Sequence, residues 1–237
     1  MSVTVFEESR QPFGQALLLI YCSVNRFSYE DAIREASMGD SHVSSASVAH
    51  WYEISRDACV DWATARVSAG KMGGPGSVVE IDEVMIGHRK YNRGRLVQGT
   101  WVLGIIDVHT GDLRIEACPE NRRDAQTLLA LIGRHVEAGT TVITDCWRSY
   151  LGLTAEGFNH LTVNHSCHFV DPDTWANTQK IESTWRAMKR RICRGGVPKE
   201  ALGSHLCEYL WQRDVKRRGA DPFAEMVGLL KASQAHR

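Results

Sequence analysis

Apolar and polar positions follow two different periods along this chain, and the change falls near residue 71. Before it, apolar residues recur at helical spacing. Phe13 to Asn25 forms a compact apolar helix. Ser28 stands where it can cap a second helix, with Asp31 three residues on in a capping-box position. Ser44, Ser45 and Ser47 precede a third helix, whose Val48, Trp51, Ile54, Ala58 and Trp62 fall roughly on one face. The run KMGGPGS, Lys71 to Ser77, then breaks the pattern with three glycines and a proline.

Beyond the break the pattern becomes β-rich. Val78 to Ile86 reads as a strand, and Leu96 to Val108 as a long apolar one. His109 to Asp112 makes a turn, and Leu113 to Cys118 pairs back. Asp124 to Ala138 is an amphipathic helix with Leu128, Leu131, Ile132, His135 and Val136 on or near its inner face, ended by Gly139. Thr140 to Thr144 is a short buried strand leading into Asp145, and Leu161 to Asn164 is another. Helices follow at Thr178 to Ile192 and Glu200 to Val215. Three strands, a helix, two strands and helices give an α/β order, that of a ribonuclease-H-like mixed sheet with flanking helices. The expected organisation is a small helical N-terminal region (1–70), a linker (71–77), the ribonuclease-H-like domain (78–218) and a C-terminal helix or tail (219–237). The N-terminal helices suit a helix-turn-helix DNA reader, or a cap packed on the core.

Composition narrows the class. The 237 residues are 43% hydrophobic and 24% charged, as in a folded globular chain. The longest apolar run, Ala16 to Cys22, falls far short of the ~20 residues a bilayer crossing needs. It also lacks the basic start of a signal peptide, so no membrane partner is expected. Seven cysteines are scattered without a CxxC pair, which gives a zinc ribbon or redox motif no support and fits a reducing compartment. Formal net charge is zero. Its distribution is uneven, with basic residues gathered in His88 to Arg95 and in Arg186 to Arg218. Each gathering begins within ten residues of a candidate acidic ligand, as a polyanion track would.

Three acidic residues carry the candidate chemistry. Asp82 interrupts a hydrophobic strand, where aspartate is disfavoured and needs a reason. Asp145 ends a short apolar strand, where ligands commonly sit in α/β sheets; capping the following segment is the alternative role. Glu182 lies beside the apolar stripe Ile181, Trp185, Met188 and Ile192, in a polar row with Arg186 and Lys189. Lys189 shares its face about 10 Å further along the axis. An ordinary surface Glu–Arg pair is the alternative. Glu80 lies on the Asp82 face of its strand and Glu83 on the other. Asp107 precedes a turn and reads as structural. His165 and His168 flank Cys167 without a second ligand pair, which argues against zinc.

The segments VEIDEVMIGHRKYNRGR (79–95), TDCWRSY (144–150), VNHSCHFVDPDT (163–174) and NTQKIESTWRAMKRRI (177–192) resemble the transposases of Merlin elements and their bacterial insertion-sequence relatives, the ISXO-like transposase domains. The resemblance runs from about residue 73 to residue 213. It implies a DDE transposase, in which Asp82, Asp145 and Glu182 hold two Mg²⁺ or Mn²⁺ ions for cleavage and strand transfer of a mobile element. Arg89, Lys90, Arg93, Arg95, Arg186, Lys189, Arg190 and Arg191 are the expected DNA contacts, and Glu80, His165 and Asn177 the expected neighbours of the site. Double-stranded DNA is the implied partner, and a homo-oligomer on DNA the implied assembly. The place of action would be the nucleus of a eukaryote, the favoured host, or the nucleoid of a bacterium. One departure stands out: the family's GAHTQ is here Trp175-Ala176-Asn177-Thr178-Gln179. A decayed or domesticated copy that binds DNA without cutting is the main alternative. A glycosidase with paired carboxylates and a related nuclease on other substrates are further ones.

Overall fold

The computed structural model describes residues 6, 9, 11–37, 41–87, 99–164, 171, 176–192 and 197–233. The chain forms two compact units, 1–66 with 207–237, and 67–206. The boundary at 206/207 falls inside a helix rather than at residue 218.

The first unit is helical: α1 (Phe13–Asn25), α2 (Tyr29–Ala36), α3 (Ser45–Ser68), most of α6 (Leu202–Arg218) and α7 (Pro222–Ser233). Ser28 caps α2 as expected, its hydroxyl oxygen accepting the Asp31 N–H at 3.1 Å. Leu19, Ile20, Trp51, Trp211 and Met226 meet in its core.

The second unit is built on a five-stranded sheet. Its strands are β2 (Val78–Ile86), β3 (Thr100–Asp107), β4 (Leu113–Ala117), β6 (Thr141–Asp145) and β7 (Asn159–Val163), in the order β4-β3-β2-β6-β7. β2, β3 and β4 pair antiparallel, whereas β6 and β7 run parallel to β2. This mixed sheet with helices on its faces is the ribonuclease-H-like arrangement. Alternation sorts the side chains of β2. Val79 and Ile81 join Leu103, Ile105, Leu128, Leu131 and Ile132 in one core, against α4 (Ala125–His135). Glu80 and Asp82 point to the other face, where both bond to α5 (Gln179–Ile192).

Three expectations need correction. The helix after Asp124 ends at His135, not Ala138. Val136 and Glu137 leave it to form β5 (Val136–Glu137), parallel to β1 (Met72–Gly73). β-Branched Val136 suits the extended chain, and the partner strand lies in the glycine-rich segment read as plain linker. Gly73 has φ 93°, and a Cβ there would stand 2.4 Å from Thr140 Oγ1, so only glycine fits. β7 also begins earlier, at Asn159.

Candidate active site

The parallel strands β2 and β6 are bridged only over Val78–Glu80 and Thr141–Ile143. Both continue past the last pair, Glu80 with Ile143, and then diverge. Asp82 and Asp145 each stand two residues beyond it. Asp145 is the last residue of β6, whereas Asp82 lies mid-strand in β2, which runs on to Ile86 beside β3. The fork lies where the sheet order reverses, and crevices form at such points in α/β sheets. A cavity of about 460 Å³ opens at this fork, lined by Asp82, Glu83 and Asp145, together with Trp101, Arg123, Cys146, Trp147, Val163 and Asn164.

Each aspartate has one oxygen fixed. Asp145 Oδ1 accepts the backbone N–H of Trp147 at 3.0 Å. Asp82 Oδ2 accepts the indole N–H of Trp185 at 2.9 Å. Gly104 makes the second bond possible. It pairs with Asp82 across β2 and β3, and a Cβ there would fall 2.1 Å from Trp185 Cη2. The missing side chain lets the indole lie over β3 and reach the carboxylate.

Glu80 has a different task. Its side chain is buried, and its Oε2 accepts the Ile181 N–H at 2.9 Å. A carboxylate from β2 thus satisfies an otherwise orphan amide in the first turn of α5, favourably placed in the helix dipole. This bond sets the start of α5 against β2. Ile181, Trp185, Met188 and Ile192 are all buried, as their spacing predicted. Asn177 Oδ1 accepts the Gln179 N–H at 3.3 Å, at the entrance to the same helix.

Glu182 sits in that first turn, exposed, with Oε1 accepting the Thr178 hydroxyl at 2.9 Å. It does not line the cavity, although its charge is felt by Asp82 and Glu80. Among the described residues, no three His, Cys, Asp or Glu side chains converge closely enough to hold a metal ion.

The electrostatics are frustrated. Burial pushes the Asp82 carboxyl up to about 6; the Trp185 and Glu83 N–H groups oppose this, and Asp145 and Glu182 add to the rise. Burial likewise pushes Glu83 up to about 7; Asp82 and Asp145 reinforce this, and Tyr150 and the charge of Arg123 oppose it. Glu83 faces away from α5, as alternation required, yet still lines the cavity. Two half-buried carboxylates, Asp82 and Glu83, each raised in part by the charge of Asp145, are suited to a hard cation. The donors at the fork are therefore of the right kind for Mg²⁺ or Mn²⁺, with Asp82 and Asp145 already facing one cavity.

The ISXO2-like transposase domain matches residues 71–213. The chain belongs to this family. A transposase-like protein of Haemophilus influenzae, itself uncharacterised, is 36% identical over 87 residues, 36% of this chain and 69% of the relative. Among solved structures, the catalytic core of bovine immunodeficiency virus integrase aligns over 68% of this chain and 98% of its own. Its identity is 12% and its TM-score 0.38. The HTLV-2 integrase catalytic core, solved with magnesium, aligns over 58% and 84%, at 14% identity and TM-score 0.35. A chain of the simian T-cell lymphotropic virus intasome in complex with PP2A regulatory subunit B56 gamma aligns over 59% of this chain and 49% of its own, at 14% identity and TM-score 0.37.

Of the basic residues expected on DNA, Arg186, Lys189 and Arg190 lie exposed along α5 of this transposase domain, and Arg191 is half-buried. Arg89, Lys90, Arg93 and Arg95 lie outside the described residues, as do His165 and Trp175. The basic run Lys216-Arg217-Arg218, at the end of the Arg186 to Arg218 stretch, is partly spent within the fold. Arg217 pairs with Asp214 at 2.7 Å, and Arg218 with Asp214 and Glu225 at 2.9 and 2.7 Å. Asp107 is structural, its Oδ1 accepting the N–H groups of His109 and Thr110. The sequence pattern gave no weight to Gly104, Arg123 or Trp101. Trp147 carried the one available signal, as the tryptophan two places after Asp145 in TDCW.

Proposed function

We propose that this transposase domain cleaves and rejoins double-stranded DNA, using divalent cations held by Asp82, Asp145 and Glu182. One observation carries the reading: two aspartates at the fork of parallel strands face one cavity, and Asp82 is held at about 6 by burial and acidic neighbours. Bound there, Mg²⁺ or Mn²⁺ would neutralise charge at phosphorus and activate the attacking oxygen. The protein's part is positional. Trp185 and the Trp147 amide fix one oxygen on each aspartate, so each carboxylate keeps one orientation. Glu80 anchors the first turn of α5, which carries Glu182. To join the aspartates, Glu182 must exchange its Thr178 hydroxyl for the cation, by side-chain rotation on a helix that is already fixed. Arg186, Lys189 and Arg190 lie along the same helix and suit a passing phosphate backbone. Cutting and joining two element ends calls for two copies of the chain, hence a homo-oligomer on DNA, in the nucleus or nucleoid of the host.

The alternative is a copy that binds DNA without cutting, and the Thr178–Glu182 bond favours it. A nicking assay separates the two. The substrate is a labelled duplex carrying the DNA that flanks the coding region, incubated with Mg²⁺. Nicking that needs Mg²⁺ and disappears in Asp82→Asn, Asp145→Asn and Glu182→Gln supports the enzyme. Retarded but uncut DNA with both Mg²⁺ and Mn²⁺ supports the binder.

A further inference from the structure

The cavity at the fork is lined by acidic side chains and by a cation. The cation is Arg123. Its guanidinium carbon lies 3.9 Å from the centre of the Trp101 ring and 4.5 Å from that of Trp147. Trp101 is the second residue of β3, Trp147 follows β6, and Arg123 precedes α4, so three separate elements bring the stack together. All three side chains are half-buried and line the cavity with Asp82 and Asp145.

The segment carrying Arg123 is braced on both sides. On one, Asn121 Oδ1 accepts the Trp101 N–H at 2.6 Å, and Asn121 Nδ2 donates to Gly99 O at 3.0 Å. On the other, Asp124 caps α4 by accepting the Thr127 N–H at 3.0 Å, and it holds Arg122 at 2.7 Å. Glu120 and Asn121 take φ values of 52° and 58°, a left-handed backbone that non-glycine residues adopt at a cost. Strain of this order persists where the surroundings fix it, and it collects at functional sites.

A guanidinium stacked on indoles loses the use of its faces and keeps its edge, where all five N–H donors lie. Among the described residues Arg123 makes no ion pair, whereas Arg122 beside it does; the charge of Arg123 is felt by Glu83. A half-buried cation held in one pose beside two aspartates is suited to an anion that arrives with the substrate. The fork geometry on a metal-dependent DNA reading supplies one: a phosphate of the strand being cut.

We propose that Arg123, clamped between Trp101 and Trp147, binds a DNA backbone phosphate next to the one at the Asp82–Asp145 fork, and so sets which phosphate is presented for cutting. This rests on the reading under Proposed function. It makes Arg123 a substrate-binding residue, and the two tryptophans its positioning residues.

Binding in EDTA keeps the test independent of cleavage. The probe is a fluorescent 30-bp mixed-sequence duplex, titrated with the full chain across a range of salt concentrations. R123Q is expected to bind about 5- to 10-fold more weakly. The slope of log K against log salt should fall by about 0.9, the loss of one phosphate contact. R123K keeps the charge and loses the flat fork, so it should retain the slope with weaker binding. In a set of duplexes carrying single methylphosphonates, one position should weaken the wild type and leave R123Q indifferent. A folded R123Q with wild-type affinity and slope would overturn the proposal. So would loss of the melting transition in both variants, which would make Arg123 a counter-ion for Glu83. Failure of the wild type to nick DNA with Mg²⁺ would instead count against the Proposed function, and leaves this binding result readable on its own.

Discussion

Asp82 and Asp145 stand at equal distance, two residues, beyond the last bridged pair of two parallel strands. They come from strands with separate neighbours: β2 remains paired to β3 along its length, while β6 ends at Asp145. The fork therefore opens a cavity without leaving Asp82 on an unpaired strand. Two carboxylates meet there because the sheet order reverses between β2 and β6.

The electrostatic cost of that arrangement is testable. Asp82 has a folded pKa of about 6, against an unfolded value near 3.9. Between these values the folded state binds more protons, so stability falls as pH rises from about 4 to 6 and levels off above. Asp82→Asn removes the penalty. The metal-free variant should be more stable than wild type by on the order of 2–3 kcal/mol above pH 6, and by little near pH 4. Thermal melts in EDTA across pH check this. Mg²⁺ should raise the melting temperature of the wild type and not of the variant.

Gly104→Ala should be disproportionately harmful. A methyl group 2.1 Å from Trp185 Cη2 displaces the indole, because backbone carries the methyl and cannot yield. Overpacking of this kind costs about 1–3 kcal/mol. Trp185→Phe keeps most of the packing and loses the N–H to Asp82. Calorimetric Mn²⁺ titration should find weaker binding in both variants. Only the alanine variant should show a markedly lower denaturation midpoint.

Much of this site was legible in the sequence, because its anchors are local. Asp82 in a hydrophobic strand, Asp145 at a strand end and the Ile181–Ile192 stripe beside Glu182 follow from propensity and period. That the three acids form one site was implied by the family resemblance alone, and Glu182 does not line the cavity. The rest depends on pairings between distant segments. The end of α4 at His135 reflects strand pairing of Val136 with Met72. The role of Glu80 as a cap for α5 needs a helix from a hundred residues later. Arg123 lies in the irregular stretch ENRRD, where no period operates. Its meaning comes from two tryptophans on other elements.

Acid should loosen the sheet unit through Glu116. Its Oε2 lies 2.6 Å from His135 Nε2, and Arg134 donates to its other oxygen. Burial pushes this carboxyl up, but the bonds and charges of His135 and Arg134 outweigh burial and hold it below the usual range. A depressed folded pKa contributes stability above the unfolded value, and the contribution is lost as pH falls through the folded one. Glu116→Gln should therefore cost about 1–2 kcal/mol at neutral pH. The difference should shrink below about pH 4, as urea denaturation at several pH values would report.

On α5, Lys189→Ala should weaken DNA binding more at low salt than at high. The salt slope should drop by about 0.9 if the side chain neutralises one phosphate. Because such contacts carry no sequence information, the loss should be equal for unrelated duplexes. Fluorescence anisotropy with two sequences checks both points.

The central claim is that the fork holds a divalent cation. Diffraction from crystals soaked in Mn²⁺, collected at the manganese edge, tests it directly. The account predicts an anomalous peak between Asp82 and Asp145, with the Glu182 carboxylate turned from Thr178 towards it. Manganese absent from the fork in a fully soaked crystal, with Glu182 still bonded to Thr178, would contradict it.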